Sequence, residues 1–180
     1  MDKPIGLVLM GGKSSRMGTD KAFVKWHDET FLERSIKLIQ SVCDEFYLSV
    51  NQEQFNELSP HYPCIKDSYP EKGPMGGILS AMEHTKANLL VVAIDMPTVE
   101  IEILNELLTK EGSTIIAFQE KTNGFWQPFP SYWPKNIITA LKTSISKSTL
   151  SLQHFLSNHN AKPIYIESNS FQNINSPEQL

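Results

Sequence analysis

Leu89-Leu90-Val91-Val92-Ala93-Ile94 is an unbroken apolar run that stops at Asp95-Met96-Pro97. Six residues is the length of a strand. A strand apolar on both faces must be covered on both, which is the mark of a parallel sheet between two layers. Ile5 to Met10 repeats the pattern near the start of the chain and ends at Gly11-Gly12. Working outward, Phe46–Val50 and Cys64-Ile65 form further strands. Apolar stripes at Leu32, Ile36, Ile39 and Cys43, at Ile78, Leu79 and Met82, and at Ile101, Leu104, Leu107 and Leu108 predict helices between them. Thr114–Phe118 and Pro163–Glu167 add strands, and helices are expected near 135–145 and 149–158. Phe125–Tyr132 contains Pro128 and Pro130 and is expected as an irregular or edge strand. Strands alternating with helices predict an α/β protein: a mostly parallel central sheet with helices on both faces, three layers α/β/α, in one domain over residues 1–180.

The composition supports this class. The 180 residues are 40% hydrophobic and 20% charged, ordinary for a globular chain. A net charge of −4 argues against a nucleic-acid partner. No apolar run approaches the roughly 20 residues that span a bilayer, and Met1-Asp2-Lys3-Pro4 shows no signal-peptide core, so a cytoplasmic protein without a membrane partner is expected. Cys43 and Cys64 stand in apolar surroundings and are expected as buried thiols, with a disulfide between them as the alternative. The five histidines have no metal-ligand spacing, and no G-x-S-x-G elbow is present.

In an open α/β sheet, ligands bind beyond the carboxyl ends of the strands. Polar or glycine-rich segments follow four strands: Gly11–Lys21 after the first, Asn51 after the second, Asp67 after the third and Asp95 after the fourth. Gly11-Gly12-Lys13-Ser14-Ser15-Arg16-Met17-Gly18-Thr19-Asp20-Lys21 can turn its N–H groups onto an anion, with Arg16 as a forked donor and Lys21 as a point charge. Its spacing is neither a P-loop nor G-x-G-x-x-G, and an ordinary basic surface loop is the plainer reading. The chain has only two arginines, Arg16 and Arg34, so a guanidinium grip on phosphate must use one of them. Asp95 suits Mg²⁺, which takes one or two carboxylates plus phosphate oxygens. As a helix cap it is less well placed than Thr98. Asp67–Gly77, with Gly73 and Gly77, is either a ligand-facing loop entering a helix or a long turn. Asn173 and Asn175 alternate along an extended segment and can point to one side; Asn175 or Ser176 can cap a helix with Pro177 in its first turn, leaving another of these polar groups to face a ligand.

Laid out in this order, the motifs resemble those of the molybdenum cofactor guanylyltransferases, of the Rossmann-like nucleotidyltransferase superfamily. Leu9–Gly18 with Asp20-Lys21 is similar to the family signature L-A-G-G-x-S-x-R-M-G-x-D-K. Gly73-Pro74-Met75-Gly76-Gly77-Ile78 is similar to G-P-L-x-G-I, Asp95-Met96-Pro97 to D-M-P, Gln127-Pro128-Phe129 to a later P-[LT] segment, and Asn173–Glu178 to N-x-N-T-P-E. The departures are Met10, Met75 and Ser176. The resemblance implies transfer of GMP from GTP to the terminal phosphate of the molybdenum–molybdopterin cofactor, with transient partners in cofactor biosynthesis. It implies that Leu9, Met10, Gly11, Gly12, Lys21, Asn51, Asp67, Gly73, Gly77 and Asp95 lie around GTP. Arg16, Lys21 and Asp95 would carry the catalysis, Asp95 would hold Mg²⁺, and Asn173 and Asn175 would face the pterin. Gly11-Gly12 favours guanine, since CTP-using relatives carry L-A-A-G. The alternatives are a CTP-dependent or other transferase of the same fold and a non-catalytic nucleotide-binding protein.

Overall fold

The computed structural model describes residues 3–11, 21–110 and 112–167. Strand β1 (Ile5–Leu9) is followed, after a 3₁₀ turn at Lys21–Phe23, by a small hairpin of β2 (Lys25–Trp26) and β3 (Glu29–Thr30). Helix α1 (Phe31–Gln40) leads to β4 (Phe46–Val50), α2 (Gln52–Leu58) to β5 (Cys64–Lys66), and α3 (Gly73–Thr85) to β6 (Leu89–Ala93). Then come α4 (Ile101–Thr109), β7 (Ile116–Glu120), β8 (Trp126–Trp133), α5 (Ile138–Ser146), α6 (Leu152–Asn158) and β9 (Lys162–Ile166).

Seven strands form one sheet in the order β5-β4-β1-β6-β8-β7-β9. The pairs β1–β4, β1–β6, β4–β5 and β7–β9 are parallel, and β8 runs antiparallel to both its neighbours. The expected mostly parallel α/β sheet is therefore present. The chain passes from β1 outward to β4 and β5, then returns through α3 to β6 on the other side of β1. The point between β1 and β6 is where the strand order reverses, and ligands of such sheets bind there.

Both faces are covered, and two glycines of the buried β1 region show how closely. A Cβ on Gly6 would lie 2.3 Å from Ile39 Cγ1, so α1 rests directly on the strand. Leu9, three residues on, points to the opposite face. There its Cδ2 lies 3.1 Å from where a Cβ on Gly77 of α3 would sit. Helices α1 and α4 share the first layer, joined by Arg34 and Glu100. Helices α3 and α5 share the second, joined by Lys142 and Glu83 at 2.6 Å. The core runs unbroken through the sheet, with Leu7, Leu48, Leu79, Leu90, Phe118 and Trp133 among its buried side chains.

Strand β8 is irregular, one of the two expectations, but does not take the other, an edge position. It lies inside the sheet, because its prolines fall where the ladder needs no donor. Ala117 pairs with Ser131 and Phe118 with Gln127, so residues 128–130 loop out between two stretches of regular pairing. The fully buried Ser131 stitches this bulge: its hydroxyl donates to the Pro128 carbonyl (2.7 Å) and accepts the indole N–H of Trp133 (2.8 Å). Other elements differ from expectation as well. Helix α3 starts at Gly73, within the expected loop. Strand β7 starts at Ile116 and runs on to Glu120. Helix α2, with only Phe55 and Leu58 as apolar anchors, carries too weak a stripe to be expected at all.

Among the described residues no helix is long and apolar enough to cross a membrane. Both cysteines are free thiols. Cys43 is buried, and burial pushes its thiol up to about 12, whereas the half-buried Cys64 is raised too, by the same cause. The thiolate is the reacting species, so a disulfide reagent at pH 8 is expected to label Cys64 in the folded protein well before Cys43. Equal labelling rates by mass spectrometry would contradict the packing around Cys43.

Candidate functional site

Pairing in register brings the carboxyl ends of four strands to one rim. Leu9 lies opposite Ser49 on one side and Ala93 on the other, and Val50 lies opposite Lys66. Three further backbone bonds extend the ladder just past the strands: Met10 N–H to the Ser49 carbonyl (3.2 Å), Asp67 N–H to Val50 (2.8 Å) and Ile94 N–H to Leu9 (3.0 Å). Gly11, Asn51, Asp67 and Asp95 thus leave the sheet side by side. Across the three strand spacings from β5 to β6 this rim is about 14 Å wide.

Each residue reaches the rim in its own way. Leu9 and Met10 are buried, and the Met10 N–H belongs to the sheet, so these two build the floor. Gly11 is the first exposed residue, at φ +80°, a conformation that favours glycine. Gly12, Arg16, Asn173, Asn175 and the side chain of Lys21 lie outside the described residues.

Asn51 is the N-cap of α2. Its Oδ1 accepts the Gln54 N–H (2.9 Å), and Gln54 Oε1 accepts the Asn51 N–H (3.2 Å), a reciprocal capping box. The Asn51-x-x-Gln54 spacing carries this signal in the sequence. The cap anchors Asn51 at the mouth of β4.

Asp67 builds the turn that follows β5. Its Oδ1 accepts the Tyr69 N–H (2.7 Å) and stands 3.0 Å from Ser80 Oγ. The Ser80 hydroxyl also accepts the Ser68 N–H (2.9 Å) and lies 2.8 Å from the Gly76 carbonyl. One carboxylate oxygen is thereby tied to α3, while Oδ2 takes no part in these bonds. Sequence reasoning missed Ser80; its signal was a hydroxyl on an otherwise apolar helix face. Tyr69 is held from its other end, donating to Glu83 (2.9 Å), whose carboxyl is kept below its usual range by the hydrogen bond from Lys142 and that from Tyr69, against the pull of burial.

The glycines of the loop have separate tasks. Gly73 is exposed at φ +58° with open space about its Cα. Gly76 and Gly77 are buried. A Cβ on Gly76 would lie 2.6 Å from the Tyr69 carbonyl and 3.2 Å from Asp67 Oδ2, and one on Gly77 would lie 2.5 Å from Ser49 Oγ. Gly77 therefore does not line an open site. It lets α3 touch β1 and β4 directly, and Gly76 lets the Asp67 turn fold onto α3.

Asp95 is half-buried on the turn after β6. Helix α4 begins only at Ile101, with Glu100 at its N-cap position, so neither Asp95 nor Thr98 caps it. Met96 O accepts the Val99 N–H (3.2 Å), and the carbonyl of buried Pro97 accepts a hydrogen bond from Arg34 Nε on α1. Arg34 also meets Glu29 and Glu100, each at 3.3 Å. Arg34 is thus committed to the Asp95 turn. Among the described residues no three His, Cys, Asp or Glu side chains gather to hold a metal by themselves. A carboxylate at a rim, outside any three-residue cluster, is a donor set suited to Mg²⁺ arriving with phosphate oxygens rather than to a dedicated all-protein cage.

A sequence model of the MobA-like NTP transferase domain matches residues 6–162. The chain belongs to this family. Among MobA-like relatives, a probable molybdenum cofactor guanylyltransferase of Flavobacterium johnsoniae is 31% identical, covering 96% of this chain and 92% of its own. The molybdenum cofactor guanylyltransferase of Xanthomonas euvesicatoria is 32% identical, covering 97% and 90%. The structure of molybdopterin-guanine dinucleotide biosynthesis protein A from Archaeoglobus fulgidus shares the fold, with a TM-score of 0.77 at 24% identity over 97% of this chain and 93% of that one. The MobA-like match takes in every described rim residue and ends at Lys162, before Asn173 and Asn175.

Gly77→Ala tests the packing that holds this rim of the MobA-like domain. The added methyl would overfill the contact with Ser49 and Leu9, and overpacking costs about 1–3 kcal/mol. Urea unfolding is expected to show a loss in that range, while Gly73→Ala, free of any clash, loses only about 1 kcal/mol through its positive φ.

Proposed function

We propose that this protein is a molybdenum cofactor guanylyltransferase. It transfers GMP from GTP to the terminal phosphate of the molybdenum–molybdopterin cofactor and releases pyrophosphate. The observation that carries this reading is the meeting of Gly11, Asp67 and Asp95 at one rim, beside the reversal of strand order between β1 and β6. The near full-length similarity to relatives bearing that name supports the choice of reaction.

The attacking group is a phosphate monoester. Its second pKa is about 6, so it is already largely dianionic at neutral pH and needs no protein base. The histidines have other surroundings: His27 packs on Trp26, His84 on Tyr47 and His159 on Phe155. The barrier lies in bringing two polyanions together at the α-phosphorus, where positioning and charge neutralisation dominate. The Gly11–Lys21 segment presents N–H groups to the triphosphate, with Arg16 and Lys21 adding positive charge. Asp95 would hold Mg²⁺, which neutralises phosphate charge when bound. Asp67 and Asn51 border the nucleoside, Gly11-Gly12 favours guanine over cytosine, and Asn173 and Asn175 serve the pterin.

The decisive assay measures pyrophosphate release from GTP, CTP and ATP with molybdenum–molybdopterin and Mg²⁺. GTP is expected to be used at least tenfold better than the others. Preference for CTP would reassign the base, and GTP binding with no pyrophosphate would make the chain a non-catalytic binder. Asp95→Ala is expected to abolish Mg²⁺-dependent turnover, and near-normal activity would reject its metal role. Arg16→Ala is expected to remove about 3 kcal/mol of transition-state stabilisation, the scale for one preorganised donor; a loss of kcat/KM below tenfold would reject the clamp.

A further inference from the structure

Arg34 bonds to three separate segments from one side chain. Its Nε donates to the Pro97 carbonyl, two residues after Asp95. Its Nη1 meets Glu29 Oε1 of the β2–β3 hairpin at 3.3 Å, and its Nη2 meets Glu100 Oε1 at the start of α4 at 3.3 Å. Glu29 is itself held by Lys37, at 2.6 Å, from the next turn of α1. The hairpin is what the Gly11–Lys21 segment leads into, and its end is locked onto α1. Phe31 N–H bonds to the Val24 carbonyl (3.0 Å), and Thr30 and Glu33 close a capping box. One guanidinium thus connects the β2–β3 hairpin with the turn that carries Asp95.

Stability is a poor account of the Glu100 arm of this arrangement. Glu100 is 68% exposed, and ion pairs with so open a partner contribute about 0–1 kcal/mol. Geometry is a better one. Within the Asp95 turn the Val99 N–H bonds to the Met96 carbonyl, and the Pro97 carbonyl accepts from Arg34 of α1. A planar fork with fixed donor directions can set the height and angle of that turn in a way that a single ammonium cannot.

We infer that Arg34 is a positioning residue: it fixes the Asp95 turn against the β2–β3 hairpin and α1, so that the carboxylate keeps its place at the rim for a ligand. The inference rests on the proposed reaction for what Asp95 holds, but the contact itself can be read without any ligand.

Arg34→Met and Arg34→Lys are compared with the parent protein. By NMR hydrogen exchange on the free protein, the Val99 amide is expected to exchange at least tenfold faster in Arg34→Met, while the Asp67 amide, bonded to Val50 at the same rim, keeps its rate. Mn²⁺ affinity in the presence of GTP is expected to fall at least tenfold, with GTP affinity in EDTA unchanged within twofold. Arg34→Lys recovers part of both effects. In turnover, the loss appears in kcat with little change in the KM for GTP. Unchanged Val99 exchange overturns the inference, whatever the enzyme catalyses. So does a uniform rise in exchange across the sheet, which marks general destabilisation. Faster Val99 exchange with unaltered Mn²⁺ binding overturns the positioning role, whereas faster exchange with no Mn²⁺ binding in the parent upholds the strut and removes the metal role of Asp95 instead. If Arg34→Met does not fold, Arg34→Lys decides alone, at a threshold of threefold on Val99.

Discussion

Everything at the rim depends on β1 being paired, in register, on both sides. Leu9 stands between Ser49 and Ala93, and its carbonyl reaches on to the Ile94 amide. A parallel ladder has evenly spaced bonds, so strands that pair in register end together. Three loops with no sequence proximity are then delivered to one place without having to contact one another. The two helix layers hold β1 flat against this arrangement, α1 through Gly6 and α3 through Gly77. The chemistry proposed for the rim asks for little beyond such delivery. Two highly charged substrates need cations and dipoles at set places more than they need a reactive side chain.

The parts of the fold that could be read from the chain are those where burial is two-sided. Leu89–Ile94 and Ile5–Met10 can hardly be anything but central parallel strands, and the residues after them form the rim. What could not be read depends on tertiary context. Pro128 and Pro130 argue against an interior strand until it is known that three residues bulge out between Ser131 and Gln127, leaving the prolines with no ladder bond to make. Helix α2 lacks an apolar stripe and is announced only by its capping box, so Asn51 reads as a rim ligand candidate before it reads as a cap.

The same limit applied to the site. Asp95 and Asp67 stand out because each follows a strand. The groups that orient them do not, because orientation is a long-range property. Ser80 lies 13 residues from Asp67, and Arg34 lies 63 from Pro97. Arg34 is nonetheless half-legible, as one of only two guanidinium groups in the chain. Its partners, two glutamates and a backbone carbonyl, become visible only when α1 and the β6 turn are brought side by side.

Gly76 and Gly77 carry a wider consequence. At both positions the separation between helix and neighbour is set by a hydrogen atom, the thinnest spacer that a protein chain possesses. Such a contact works as a mechanical stop: it can be pushed apart by any replacement but never drawn closer. Substitutions at the exposed rim can therefore reshape its outer edge while the helix behind it keeps its distance from the sheet.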